Sequence, residues 1–297
     1  MYGAIEAGGT KFVCAIGDES LKIYKRTSIP TTSPKETMSS VIKFFEPYKK
    51  DLKSMGIGSF GPIDIQKESE KYGYITSTPK SGWRDFDFVG TIRNNFQLPV
   101  AWTTDVNAAC YGEYIAGSAK RLGNVVYYTI GTGVGGGAIQ QGRFVEGFSH
   151  PEMGHMLVKL HKDDQFKGNC SFHANCLEGM ASGPAIEKRV GKKGQELSEN
   201  DPVWNIIATY IAQCAYNTTL LFSPEAIILG GGVMKQTGLI EKVRDKYSDL
   251  LNDYVQTPDI NKYIITPYLK DDAGITGCIA LARELSVNYK SDFRSFL

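Results

Sequence analysis

The chain opens on two apolar runs, Tyr2 to Ala7 and Lys11 to Gly17, joined by Gly8-Gly9-Thr10. That pattern predicts a strand, a glycine turn and a returning strand. Val41, Phe44, Phe45 and Tyr48 then recur at helical spacing and predict a helix over Glu36 to Tyr48. Short strands are expected at Met55 to Phe60 and Leu98 to Thr103, each running into a polar loop, with residues 61–97 irregular and loop-rich. Val125 to Ile130 is a second β-rich run. It meets Gly131-Thr132-Gly133-Val134-Gly135-Gly136-Gly137 and is expected to return as a strand over Ala138 to Val145. This repeats the plan of the opening segment. The repetition fits a two-lobed duplication, or simply two glycine hairpins.

Asp201-Pro202 predicts a helix start, with Asp as N-cap and Pro at the first helical position. Val203, Ile207, Tyr210, Ile211, Cys214 and Leu221 carry the helical period, and Ser223-Pro224 ends it. A buried strand, Ala226 to Leu229, runs into Gly230-Gly231-Gly232, and Ile275 to Leu285 reads as a helix after Asp271-Asp272-Ala273-Gly274. Strands alternating with helices predict an α/β fold with sheets covered on both faces.

The length, 297 residues, suggests about two domains. Lys and Arg number 33 against 32 Asp and Glu, a formal net charge of +1, which argues against a nucleic-acid or membrane-surface protein. No apolar stretch approaches the ~20 residues of a membrane span. Met1 to Gly9 lacks a basic start and an apolar run, so no signal peptide is expected and the cytoplasm is the default compartment. Glycine, at 32 residues, is in excess, which points to loops where backbone approaches backbone or ligand.

Gly131-x-Gly133-x-x-Gly136 matches a dinucleotide fingerprint by letters, but that motif needs a helix after the glycines. Here a strand pattern follows, so a Rossmann dehydrogenase is set aside, as is a P-loop enzyme, since no GxxxxGK[ST] loop exists. Glycine turns carrying Thr can still hold phosphate through successive backbone N–H groups. Gly8-Gly9-Thr10-Lys11 adds a hydroxyl and a fixed positive charge, and Gly131-Thr132-Gly133 offers the same without the lysine. The plainer alternative for each is a tight hairpin.

Cys14, Cys110, Cys214 and Cys278 sit singly among apolar neighbours and read as buried thiols. All four histidines fall within residues 150–173, around Cys170 and Cys176. Cys170-x2-His173-x2-Cys176, with His155 upstream, supplies a Cys2His2 set suited to a structural zinc. His150 and His161 are left over, and surface roles are expected for both.

Taken together, Glu6-Ala7-Gly8-Gly9-Thr10-Lys11, Asp105-Val106-Asn107-Ala108-Ala109, the 131–137 glycines, Glu152-Met153-Gly154-His155, Cys170-x-x-His173-x-x-Cys176-Leu177-Glu178 and Leu229-Gly230-Gly231-Gly232 occur in an order that resembles the ROK sugar kinases. The likeness spans residue 3 to about 283. Gly3 to Phe12, Gly61-Pro62-Ile63-Asp64 and Thr78-Pro79-Lys80-x-Gly82-Trp83 resemble the bacterial fructokinase branch. The resemblance implies an actin-like ATPase (ribonuclease H-like) fold of two lobes with a central cleft. Residues 1–115 with a C-terminal helix of about 272–297 would form the N-terminal lobe. Residues 116–271 would form the C-terminal lobe with its zinc loop.

The resemblance also implies roles. Asp105 matches the catalytic base, although by pattern alone it reads as a helix N-cap. Glu152, His155 and Glu178 match groups that hydrogen-bond sugar hydroxyls. Thr104, Gly61 and Pro62 are expected beside the sugar. Gly8, Gly9, Thr10 and Lys11, with Thr132 and Gly133, are expected on the phosphates of ATP. Gly183, Pro184 and Lys188 are expected to flank the nucleotide, and Gly230, Gly231, Gly232, Val233, Met234 and Lys235 to form its adenosine turn. Family members outside this branch often have Asp at position 6, and many hexose-reading relatives have Asn at position 104. Glu6 and Thr104 depart from that pattern, and Thr104 weakens a glucose-type reading while suiting a ketose.

The function expected is ATP- and Mg2+-dependent phosphorylation of fructose at its 6-hydroxyl, with mannose as a second substrate. The alternatives are a glucokinase, a mannokinase, an N-acetylhexosamine kinase or a non-catalytic sugar sensor. A repressor of the family would carry a helix-turn-helix before the first glycine turn, for which residues 1–7 leave no room. A homodimer is expected by resemblance.

Overall fold

The computed structural model describes residues 1–78 and 80–294, with 288–294 described by backbone alone. Pro79 of the Thr78-to-Trp83 motif and residues 295–297 of the expected N-terminal lobe lie outside the described residues. The chain divides into two compact units. One comprises Met1–Ala116, Glu146–His150 and Asp272 onward, and the other Gly117–Val145 and Pro151–Asp271.

The first unit begins with β1 (Tyr2–Ala7), β2 (Lys11–Gly17) and β3 (Ile23–Pro30), followed by α1 (Pro34–Phe45) and β4 (Ser54–Ser59). After β5 (Tyr74–Ile75) and β6 (Phe86–Asp87) come α2 (Phe88–Phe96), β7 (Val100–Thr104) and α3 (Asp105–Ala116). The sheet runs β3-β2-β1-β4-β7. The first three strands are antiparallel, while β4 lies parallel to β1 and β7 parallel to β4. Every residue of β4 is buried, as expected of a central strand covered on both faces. Ser33 caps α1 by accepting from Glu36 N, and Pro34 occupies its first turn. Met38, Val41 and Phe45 form its buried stripe.

Residues 61–97, expected to be irregular, contain the β5–β6 pairing and α2. Asp87 starts α2 by accepting from Gly90 N, and Val89, Ile92 and Phe96 bury its inner face. The C-terminal helix (Ala273–Arg294) packs backbone to backbone on α3. A Cβ at Gly112 would lie 2.1 Å from Ala273 O, and one at Gly277 would lie 1.8 Å from Ala108 O.

The second unit contains β8 (Asn124–Ile130), β9 (Val134–Gln140) and β10 (Arg143–Phe144), then α4 (Leu177–Ala181), α5 (Gly183–Val190) and α6 (Val203–Phe222). It continues with β11 (Ala226–Gly230), α7 (Leu239–Leu251), α8 (Ile260–Tyr263) and β12 (Ile264–Ile265). Its sheet runs β10-β9-β8-β11-β12, again antiparallel through the first three strands and parallel beyond them. The two sheets share one plan.

The returning strand differs from the expected Ala138 to Val145. It begins at Val134 and pairs through its glycines, Tyr128 opposite Gly136 and Tyr127 opposite Gly137. It ends at Gln140, because Gln141 and Gly142 take left-handed conformations that reverse the chain into β10. The long α6 starts after Pro202, with Asp201 Oδ1 accepting from Val203 N. Among the described residues, no helix is long and apolar enough to cross a membrane.

Candidate active site and metal centre

Asp105 stands where β7 passes into α3, as the first residue of the helix. The capping duty falls one residue earlier: Thr104 Oγ1 accepts from Asn107 N at 3.1 Å. Thr104 is buried, and Asn107 Nδ2 donates to Thr103 Oγ1 behind it. The Asp105 carboxylate accepts from neighbouring backbone, Oδ1 from Val106 N at 2.9 Å, and is not spent on the cap. Burial pushes its carboxyl from an ordinary 3.8 up to about 6, against the opposing pull of the Val106 N–H.

Glu6, on β1, carries a second perturbed carboxyl in the same unit. Burial, then the Asp105 charge, raises it to about 7, while Arg26 and Lys11 pull the other way. Its Oε2 is buried with no hydrogen-bond partner among the described residues. Arg26 is itself ion-paired to Asp272.

The turn after β1 is closed by Gly8 N donating to Lys11 O at 3.0 Å, leaving Gly9, Thr10 and Lys11 exposed. Gly61 and Pro62 are joined by a cis peptide. The Pro62 carbonyl accepts from Thr76 N at 2.8 Å and Thr76 Oγ1 at 3.0 Å. His150, expected at the surface, is buried, and its Nε2 accepts from Ile63 N at 3.1 Å. A backbone N–H with no strand partner recruits the imidazole inward. His161, the other leftover, is half-buried, and its backbone N–H donates to Tyr210 OH.

In the second unit, Glu152 is exposed and opens a short turn over Met153–His155, its carbonyl accepting from His155 N at 3.0 Å. Glu178 lies in the first turn of α4, and its Oε2 accepts from Val134 N at 3.0 Å. That bond ties α4 to the Gly131-Thr132-Gly133 turn, which also closes through Gly131 N on Gly133 O and Gly183 N on Gly131 O.

His155, Cys170, His173 and Cys176 converge. One ligand atom from each lies within 4.8 Å of all the others. His155 Nδ1 is 3.7 Å from Cys170 Sγ and 3.6 Å from Cys176 Sγ, and His173 Nδ1 is 3.8 Å from Cys170 Sγ. Tetrahedral zinc, with Zn–S of about 2.3 Å and Zn–N of about 2.0 Å, sets S···N at ~3.5 Å. The donor set and its spacing therefore fit that ion. The loop carrying these residues is anchored by Asp164, which accepts from Arg189 Nη2 at 3.1 Å and Tyr210 OH at 2.7 Å.

A cavity of about 520 Å³ opens in the second unit. Thr132, Gly183, Pro184, Gly232, Val233 and Lys235, all expected beside the nucleotide, line it together with Gly131. Ile186, Glu187, Lys193, Gly194, Gln195, Trp204 and Gln236 complete the lining and were not foreseen. Lys188 does not line it: it is exposed, one residue beyond Glu187 and so about 100° around the helix. Gly133 sits instead against the Glu178 carboxylate. Gly230 closes β11, and Gly231, at φ 92°, turns the chain out of the strand. Met234 points into the core, and Lys235 pairs with Asp271 at 2.8 Å.

The comparisons with known proteins agree among themselves. Residues 2–285 match the ROK family. A fructokinase of Streptococcus mutans is 49% identical over 290 residues, covering 96% of this chain and 98% of its own. A fructokinase of Pediococcus pentosaceus is 50% identical over 283 residues, covering 95% and 98%. The solved ROK hexokinase of Thermus thermophilus superposes with a TM-score of 0.81 at 24% identity, over 97% of this chain and 99% of that one. Its likeness shows the fold, that of the actin-like ATPases. The chain belongs to the ROK family.

Proposed function

We propose that this chain is an ATP-dependent fructokinase that phosphorylates the 6-hydroxyl of fructose, with mannose as a second substrate. The observation that carries the reading is the carboxylate of Asp105, held at a strand end, raised by burial and relieved of capping by Thr104. The fructokinases that match at 49% and 50% identity over nearly the whole of both chains support the choice of sugar.

Phosphoryl transfer asks for positioning, charge neutralisation and a group to take the hydroxyl proton. Asp105 orients the sugar 6-hydroxyl and accepts its proton as that oxygen bonds to the γ-phosphorus and the bond to the ADP oxygen breaks. Glu152, His155 and Glu178 hydrogen-bond the other hydroxyls, with Glu178 fixed by its bond from Val134. Gly61, Pro62 and Thr104 shape the approach to Asp105. Gly8, Gly9, Thr10 and Lys11, with Thr132 and Gly133, hold phosphate, and the lined cavity receives the adenosine. Mg2+, when bound, neutralises the charge that builds on the transferring phosphoryl group.

His155, Cys170, His173 and Cys176 hold a structural zinc, which joins the turn bearing Glu152 to the helix bearing Glu178. The protein acts in the cytoplasm as a homodimer.

Coupled ADP release with Mg-ATP across fructose, mannose, glucose and N-acetylmannosamine tests the reading. Turnover with fructose, and more slowly with mannose, is expected. Turnover only on glucose or N-acetylmannosamine contradicts the sugar assignment.

A further inference from the structure

The turn Gly8-Gly9-Thr10 is held by its carbonyls. In a trans peptide, the carbonyl of one residue and the N–H of the next point in opposite directions. Gly8 O accepts from Thr31 Oγ1 at 2.8 Å, which turns the Gly9 N–H away from Thr31. Gly9 O accepts from the Lys80 ammonium, which turns the Thr10 N–H away from Lys80. Thr10 O accepts from Thr31 N at 2.9 Å. Three successive carbonyls are thus tied back. Among the described residues, neither the Gly9 nor the Thr10 N–H meets an acceptor, and both residues are exposed. Successive unspent N–H groups on one side of a turn form an anion-binding concavity.

Lys80 is held in place to do this. Its N–H donates to Thr78 Oγ1 at 3.3 Å, and its carbonyl accepts from Trp83 N at 3.2 Å. Trp83 is fully buried, donates from Nε1 to Thr32 O at 2.8 Å, and packs 5.3 Å from the Phe12 ring. The lysine therefore stands on the same rigid piece that carries Thr31.

The geometry points to Lys80 as a positioning residue of the phosphate turn: its ammonium holds the Gly9 carbonyl and aims the Thr10 N–H at the polyphosphate of ATP. Because residue 9 is glycine, its peptide is free to rotate once that carbonyl is released. A carbonyl oxygen then faces the anion in place of an N–H. The assignment rests on the phosphotransfer reading for the identity of the ligand.

The test is calorimetric titration of AMPPNP and of AMP, with Mg2+ and without sugar, into wild type, Lys80→Met, Lys80→Arg and Thr31→Val. Losing a charge-assisted bond predicts about tenfold weaker AMPPNP binding in Lys80→Met, with AMP unchanged within about twofold. Lys80→Arg, which keeps a cationic donor, recovers most of the affinity. Thr31→Val, which frees the neighbouring carbonyl, weakens AMPPNP in the same selective way. Unchanged AMPPNP affinity in Lys80→Met overturns the proposal, and so does an equal loss of AMPPNP and AMP. Selective loss in a protein that shows no fructose-dependent turnover leaves the proposal standing and removes the fructokinase reading.

Discussion

The Asp105 charge, second to burial, raises the carboxyl of Glu6, so the two acids of the first unit are linked. Glu6 ordinarily titrates at 4.5 and in the fold holds its proton to about 7. The folded chain therefore binds more protons than the unfolded chain across that window. Stability is fullest below the lower value and falls as pH rises through the upper one. The ligand-free wild type is expected to lose melting temperature between pH 5 and 8, and Glu6→Gln to flatten the loss. A melting curve of identical pH slope in both proteins contradicts the linkage.

Asp105, raised to about 6, sets a second expectation. A base works only when ionised, so kcat/KM for fructose falls about tenfold per pH unit below that value. The pH profile of the free enzyme checks this. A flat profile down to pH 4.5 removes Asp105 from the role.

For the metal centre, chelation with a strong zinc ligand, or Cys170→Ala, is expected to lower the melting temperature by about 5–10 °C. Elemental analysis before and after treatment should track the change. A protein that carries no zinc yet melts identically with and without chelator has a bare thiol–imidazole cluster instead.

Much of this was legible in the residues, and the exceptions have physical causes. The hairpin from Tyr2 to Gly17 showed because its glycine turn interrupts two apolar runs. β3 did not show, because most of its residues face solvent and no apolar face marks it. α2 hid behind its own Gly90 and its asparagines, poor helix formers, with only about two and a half turns to display a period. The Cys/His cluster was readable from spacing alone, since local Cys and His offsets fix most of its geometry. The lining of the cavity in the second unit was half readable. Its glycines announced themselves, whereas Lys193 and Gln195 approach from one short turn and Gln236 from another about 40 residues on, which sequence distance does not relate. His150 was misread because its inward pull comes from one backbone N–H some 87 residues away.

The contact of α3 with the C-terminal helix admits no side chain at Gly277. Gly277→Val is expected to cost about 3 kcal/mol or more, by forcing apart two backbones that now touch. Chemical denaturation reads this directly. A variant within about 0.5 kcal/mol of wild type means the helices have room that this packing denies.

The most direct test of the account measures fructose-dependent ADP release in Asp105→Asn, beside calorimetric fructose binding to the same variant. The account predicts that turnover falls by about 10²-fold or more while the fructose Kd stays within about threefold of wild type, because the carboxylate is needed for the proton and not for the grip. Turnover near the wild-type rate in that variant contradicts it.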